Sequence, residues 1–242
     1  MTTLLAFDTA TERMSIALAA GGAVHAHEAV GGAQASSTLI PAIFALLRQA
    51  DVSLAQLDAI AFGRGPGAFT GLRTACSVAQ GLALGAGKPV LPVDTLLVVA
   101  ESARDGTHAQ RIWVANDARM DEVYAAHYAF DAGRWTTLVA PLLTTPQALN
   151  ARWAAEAPQA VAGTALLAFA DRLQCGAARR VPEAAPHAQA MLPIAQSLWD
   201  AGAAVDAALA LPLYVRDKVA QTTAEREAVR AAKDQLLAEA AR

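Results

Sequence analysis

One stretch constrains the fold more than any other: Gly63-Arg64-Gly65-Pro66-Gly67-Ala68-Phe69-Thr70-Gly71-Leu72-Arg73. Four glycines and a proline join an apolar run from Asp58 to Phe62, which predicts a strand, to one from Leu72 to Leu84, which predicts a helix. Glycine permits positive φ and close backbone approach, and proline fixes φ near −65°. The loop therefore delivers the chain tightly into a helix N-terminus, whose free N–H groups and positive dipole end attract anions. A turn that simply needs glycines explains the same residues equally well.

The elements around this loop follow from pattern. Leu4 to Asp8, Met14 to Ala20 and Ala23 to Ala29 predict three strands, the last two joined by a Gly21-Gly22 turn. A helix is expected over Thr38 to Gln49, capped by Ser36 or Ser37 with Pro41 in its first turn. Its apolar residues wrap around more than one narrow stripe, which means deep burial or a face kept for a partner. Ser53-Leu54-Ala55-Gln56 reads as a capping box, Pro89 to Val93 as a strand, and Asp94 as the cap of a helix through Leu96, Leu97 and Ala100.

A second cycle starts with strands at Arg111 to Asp117, Val123 to Phe130 and Trp135 to Val139. Thr145 and Pro146 open a helix through Trp153, Gln159 to Gly163 reads as a strand, and Leu166 to Leu173 as a helix. Two halves in the order β-β-β-α-β-α imply a duplicated α/β unit. The expected division is residues 1–102, 111–220 and a charged helical tail, 221–242, opened by a capping box at Thr222.

A length of 242 residues suffices for a proper core. No run has the bulk and length to span a bilayer, and Met1 to Asp8 lacks the pattern of a secretory signal. Cys76 and Cys175 have no metal or redox spacing, so buried thiols in a reducing compartment are expected. A net charge of −3 gives no sign of a nucleic-acid-binding surface. A soluble cytoplasmic protein is the expectation.

Gly63-x-Gly65-x-x-Ala68 formally matches the dinucleotide fingerprint, with Asp94 after the next strand. The three-stranded start and Pro66 speak against a dinucleotide fold, and no Lys-Ser or Lys-Thr pair makes a Walker loop. Asp8-Thr9-Ala10-Thr11 and Asn116-Asp117-Ala118-Arg119 end the first strand of each half. Facing acids at such strand ends form the cleft of an actin-like nucleotide-binding fold, and equally satisfy turn backbone. His25-x-His27 has no third ligand and reads as an exposed hairpin pair. Tyr214-Val215-Arg216-Asp217-Lys218 suits phosphate contact or a surface strand with a charged turn.

Leu5 to Glu12, Gly63 to Arg73, Gln80 to Gly85, Asp117 to Met120 with Glu122 to Tyr124, and Tyr214 to Arg216 with Val219-Ala220 resemble the bacterial TsaB family. That resemblance implies a duplicated actin/Hsp70-like (ribonuclease H-like) fold of two lobes. It also implies a non-catalytic, cytoplasmic subunit that forms a heterodimer with the catalytic TsaD. With the ATPase TsaE, the complex transfers a threonylcarbamoyl group to adenosine beside the tRNA anticodon. The partner face implied is the first helix, through Ser37, Leu39, Ile40, Ile43, Phe44 and Leu47, and the helix after the glycine loop, through Thr74, Val78 and Leu82. Asp8, Thr11, Gly67, Thr70, Arg73 and Asp117 are candidate nucleotide or phosphate contacts. No metal or cofactor of its own is implied; ATP or ADP with Mg belongs to the complex, as does tRNA, and an isolated chain is expected to homodimerise. Ala10 stands where related kinases and chaperones place a glycine, and Ala35-Ser36 where a family histidine often stands. An active kinase or glycoprotease-like peptidase of the same fold is the alternative, and a dinucleotide-binding module a third reading.

Overall fold

The computed structural model describes residues 2–106, 108 and 110–216. The tail expected at 221–242 and Asp217-Lys218 lie outside the described residues.

The first lobe is a five-stranded sheet in the order β3-β2-β1-β4-β5. Its strands are β1 (Leu4–Asp8), β2 (Arg13–Ala20), β3 (Ala23–Val30), β4 (Ala59–Gly65) and β5 (Val90–Asp94). The second sheet has the order β10-β9-β6-β7-β8, from β6 (Gln110–Asp117), β7 (Val123–Asp131), β8 (Arg134–Thr144), β9 (Ala160–Ala162) and β10 (Arg179–Val181). In each, the first strand pairs antiparallel with the second and parallel with the fourth. The same topology twice is the structural signature of duplication, and the fold is that of two actin-like lobes.

Side chains alternate across β1. Leu5 and Phe7 face α1 (Ala35–Gln49) and α2 (Phe69–Ala86), meeting Leu39, Ile43, Leu47, Ala75, Ala79 and Leu82. Leu4 and Ala6 face the other way, onto Met191, Leu192 and Ala195 of α6 (Ala188–Asp200). In the second lobe, Trp113 and Val161 pack on Leu149 and Trp153 of α4 (Pro146–Ala155) and on Leu166 of α5 (Ala165–Ala168). Leu96, Val99 and Ala100 of α3 (Thr95–Ser102) cover Ile112, Val114 and Tyr128 on the remaining face. The helices that close the two repeats are thus exchanged: α3 covers the second sheet and α6 the first.

Several local expectations change. Helix α1 starts at Ala35, after a 3-10 turn at Gly32–Gln34, so Ser37 and Thr38 lie inside it and their hydroxyls donate to Gln34 O at 3.0 and 2.9 Å. Pro41 is an interior residue, not a first-turn one. Asp94 occupies the N-cap position of α3, but its carboxylate accepts from Arg64 Nε at 2.6 Å instead of capping. Gly87, at φ 63°, ends α2 in the left-handed conformation that favours glycine. The box at Ser53 and Gln56 forms, and Thr145 Oγ1 caps α4 through Ala148 N at 3.2 Å. The helix expected over Leu166 to Leu173 is regular only to Ala168, and both β10 and α6 are new.

Candidate functional site between the lobes and on the first helix pair

The glycine loop packs on the turn after β1. Asp8 is fully buried; its Oδ1 accepts from Ala10 N at 2.7 Å and its Oδ2 from Thr95 Oγ1 at 2.8 Å. Thr95 Oγ1 in turn accepts from Gly65 N at 3.1 Å. Glycine is obligatory here for space: a Cβ on Gly63 would overlap Asp8 Oδ2, and one on Gly71 would overlap Thr9 O. A Cβ on Gly67 would lie 2.6 Å from Ala10 Cβ. Ala68 N donates to Ala10 O at 2.8 Å, and Thr9 Oγ1 to Gly71 O at 2.7 Å. Loop and turn therefore pack directly on each other, and burial pushes the Asp8 carboxyl up to about 6 despite its two hydrogen bonds.

A cleft of about 740 Å³ separates the lobes, lined by Thr11, Gly67, Phe69, Asp117, Met120 and Tyr214 among others. Most polar groups on its walls are engaged. Thr11 Oγ1 accepts from Arg13 N at 3.1 Å and donates to Arg13 O at 3.0 Å. Asp117 accepts from Arg119 N at 2.8 Å and from its Nη1 at 3.2 Å. Arg119 also reaches across to Glu12 at 2.9 Å. Arg119, Met120 and Asp121 take φ values of 62°, 54° and 64°, a left-handed run in non-glycine residues at the cleft edge.

The six candidate phosphate contacts are consequently separated. Thr11, Gly67 and Asp117 line the cleft, whereas Thr70 and Arg73 line a hollow of about 430 Å³ with Ser36, Phe69, Thr74, Ser77 and Val78. Asp8 faces neither and is sealed beneath Gly63, so the expectation of a phosphate or metal-water contact from it is corrected: burial has made it a structural acid. The six residues thus fall in three places, three of them together on the cleft wall. The dinucleotide fingerprint is spent the same way, with Asp94 held by Arg64. Among the described residues, no group of three His, Cys, Asp or Glu could hold a metal ion, and no helix is long and apolar enough to cross a membrane.

The expected partner residues divide by burial. Leu39, Ile43, Leu47 and Leu82 belong to the first lobe's own core, which corrects their assignment to a partner face. Ser37, Ile40 and Phe44 form an exposed stripe on α1, with Ile40 42% and Phe44 37% accessible. Thr74 and Val78 border the neighbouring hollow on α2. Sequence reasoning missed a cluster at that hollow: the Arg73 guanidinium lies 3.8 Å over the Phe69 ring, and Tyr214 stands 5.4 Å from Phe69 and accepts from Arg73 Nε at 3.2 Å. Phe69 and Arg73 stand one helical turn apart, a pairing visible in the sequence, but nothing local announces Tyr214 as their neighbour.

Two repeated sheets with exchanged closing helices and an interlobe cleft define a protein of the actin-like, two-lobed class. A family model described as TsaD, tRNA N6-adenosine threonylcarbamoyltransferase, matches residues 23–224. The tRNA threonylcarbamoyladenosine biosynthesis protein TsaB of Escherichia coli is 38% identical over 221 residues, covering 90% of this chain and 96% of its own. That of Haemophilus influenzae is 35% identical, at 90% and 94% coverage. The solved YeaZ of Pseudomonas aeruginosa superposes with a TM-score of 0.81 at 39% identity, over 88% of this chain and 100% of that one. The chain belongs to the TsaB family.

Proposed function

We propose that this protein is an accessory subunit of tRNA threonylcarbamoyladenosine biosynthesis that acts by heterodimerising with the catalytic TsaD. The observation that carries the non-catalytic role is how the glycine loop is used. The missing Cβ atoms of Gly63, Gly67 and Gly71 make room for Asp8-Thr9-Ala10, while Gly65 N and Ala68 N bond to Thr95 Oγ1 and Ala10 O, so close packing accounts for these glycines without a bound phosphate. The names of the TsaB relatives support the pathway.

The partner face is the exposed stripe Ser37, Ile40 and Phe44 of α1 with the hollow bordered by Phe69, Arg73, Thr74 and Val78 on α2. An apolar stripe flanked by an aromatic ring and an arginine has the composition of an interface centre. TsaE, ATP with Mg, and tRNA then join the assembled complex, and ATP binds there and not on this chain alone. A homodimer of the isolated chain through the same stripe is the expected default when TsaD is absent.

Size exclusion with light scattering on the chain mixed with its cognate TsaD tests this. Co-elution is expected, and its loss in Ile40→Asp and Phe44→Asp variants that keep their thermal transition. Separate peaks with and without ATP and TsaE would refute the partnership. ATP turnover or peptide cleavage by this chain alone would refute the non-catalytic role.

A further inference from the structure

The last described residues run from one lobe to the other. Ala210 O accepts from Cys76 Sγ at 3.2 Å and from Gln80 Nε2 at 2.9 Å, holding the chain on α2. Leu213 N donates to Arg64 O at 2.7 Å, inside the glycine loop. Tyr214 then meets Phe69 and Arg73. Two residues later the chain is on the second lobe: Arg216 Nη2 donates to Ala118 O at 2.8 Å and Nη1 to Glu122 Oε2 at 2.5 Å. The Arg216 side chain is only 13% exposed, so it is a held anchor. The Glu12–Arg119 pair across the same cleft is 87% and 74% exposed and ties the lobes weakly by comparison.

Phe69 connects this crossing to the partner face. Its ring lines the interlobe cleft on one side and the α2 hollow on the other. Tyr214 supports that ring and orients Arg73 above it, so the position of residues 211–216 sets how the start of α2 is presented. Arg216 fixes that position from the second lobe, through groups that do not belong to the α1–α2 face.

We infer that residues 211–216 form a clasp that couples the second lobe to the partner-facing end of α2, with Arg216 as its anchor and Tyr214 as the positioning residue for Phe69 and Arg73. It rests on the TsaD partnership proposed above. Coupling of this kind needs an element that both sites bias, and the clasp is that element. Loss of the anchor frees the strap, loosens Phe69 and Arg73, and weakens TsaD binding at a distance.

The test uses the full chain in two arms. In the first, hydrogen exchange on the isolated protein compares wild type, Arg216→Ala and Arg111→Ala. Arg111 is the control because its ion pair with Glu156, 3.6 Å long, is exposed on the second lobe. Expected in Arg216→Ala is exchange at least about tenfold faster at Leu213 and at Leu72 and Arg73, the first hydrogen-bonded amides of α2, with Arg111→Ala unchanged. In the second arm, calorimetry against TsaD should show Arg216→Ala binding about five- to tenfold more weakly than wild type. Should Arg216→Ala not fold, Glu122→Gln keeps the shape, removes the charge and is expected to move both readouts in the same direction. A freed Leu213 with unchanged exchange at Leu72 and Arg73, or unchanged protection at Leu213 itself, overturns the clasp. Equal TsaD affinity of variant and wild type overturns the coupling. Wild type failing to bind TsaD is a different result: it removes the partnership, and exchange alone then decides the clasp.

Discussion

Replacing Asp8 by asparagine isolates the cost of keeping a charge under the glycine loop. The carboxyl is fully buried and its pKa is raised to about 6 from an ordinary 3.8, so the fold binds its proton more tightly than the unfolded chain does. Below pH 3.8 the group is protonated in both states and costs nothing. Between 3.8 and 6 the unfolded chain has released the proton while the fold retains it, so stability falls as pH rises, and the loss is complete above 6. The interval corresponds to about 3 kcal/mol. Asparagine fits the same slot: its oxygen keeps the bond from Ala10 N, and its amide can donate to Thr95 Oγ1, whose second lone pair still serves Gly65 N. Urea unfolding of wild type and Asp8→Asn at matched pH gives the difference directly, with every other titrating group cancelling. The stability of Asp8→Asn minus that of wild type is expected to rise by about 2 to 3 kcal/mol from pH 4 to pH 7.5. A difference independent of pH would refute the reasoning, whatever its offset, because it would mean that the buried carboxyl keeps its ordinary proton affinity.

Two further perturbations probe the same architecture. Gly71→Ala forces a methyl group into the Thr9 carbonyl, which is backbone and cannot yield cheaply; a loss of about 2 to 4 kcal/mol is expected by denaturant unfolding, and wild-type stability would show that the loop and turn are not in contact. Tyr128 has a buried hydroxyl with no partner among the described residues, so Tyr128→Phe is expected to gain about 1 kcal/mol, and a clear loss of stability would reveal a partner for that oxygen.

Local chemistry made much of the fold legible. The apolar run Leu4 to Asp8, the Gly21-Gly22 turn, the box at Ser53 and the helix start at Thr145-Pro146 each announce themselves within a few residues, and all formed. The glycine loop was placed correctly between strand and helix, but its use was not readable. Anion cradling and close packing both ask for glycine, and only the position of Asp8-Thr9-Ala10 decides between them. The same limit governs α1. Its apolar circumference could not be divided by periodicity alone; the sheet beneath it takes Leu39, Ile43 and Leu47 and leaves Ile40 and Phe44 outside. Asp94 stood at a cap position by every local rule, and lost that role to an arginine thirty residues away. Tertiary pairing outweighed the local preference there.

The exchange of α3 and α6 gives the duplication its mechanical meaning. Residues 1–102 contain a complete sheet, yet Leu4, Ala6, Ala17, Ala59 and Leu91 on its inner face are covered by Met191, Leu192 and Ile194 of the second repeat. Cutting between the halves would bare that face and, on the other side, strip Leu96, Val99 and Ala100 from Ile112, Val114 and Tyr128. Each repeat is therefore finished by the other, and neither is a unit that buries its own core. The α1–α2 layer lies on the opposite side of the first sheet from α6, so helix exchange fixes the scaffold without covering α1 and α2. Residues 211–216 cross between the lobes beside the cleft, from Arg64 on one side to Ala118 and Glu122 on the other. The crossing adds a polar tie, with Arg216 as its well-held end, to a lobe pair otherwise joined through the apolar layer of α3 and α6.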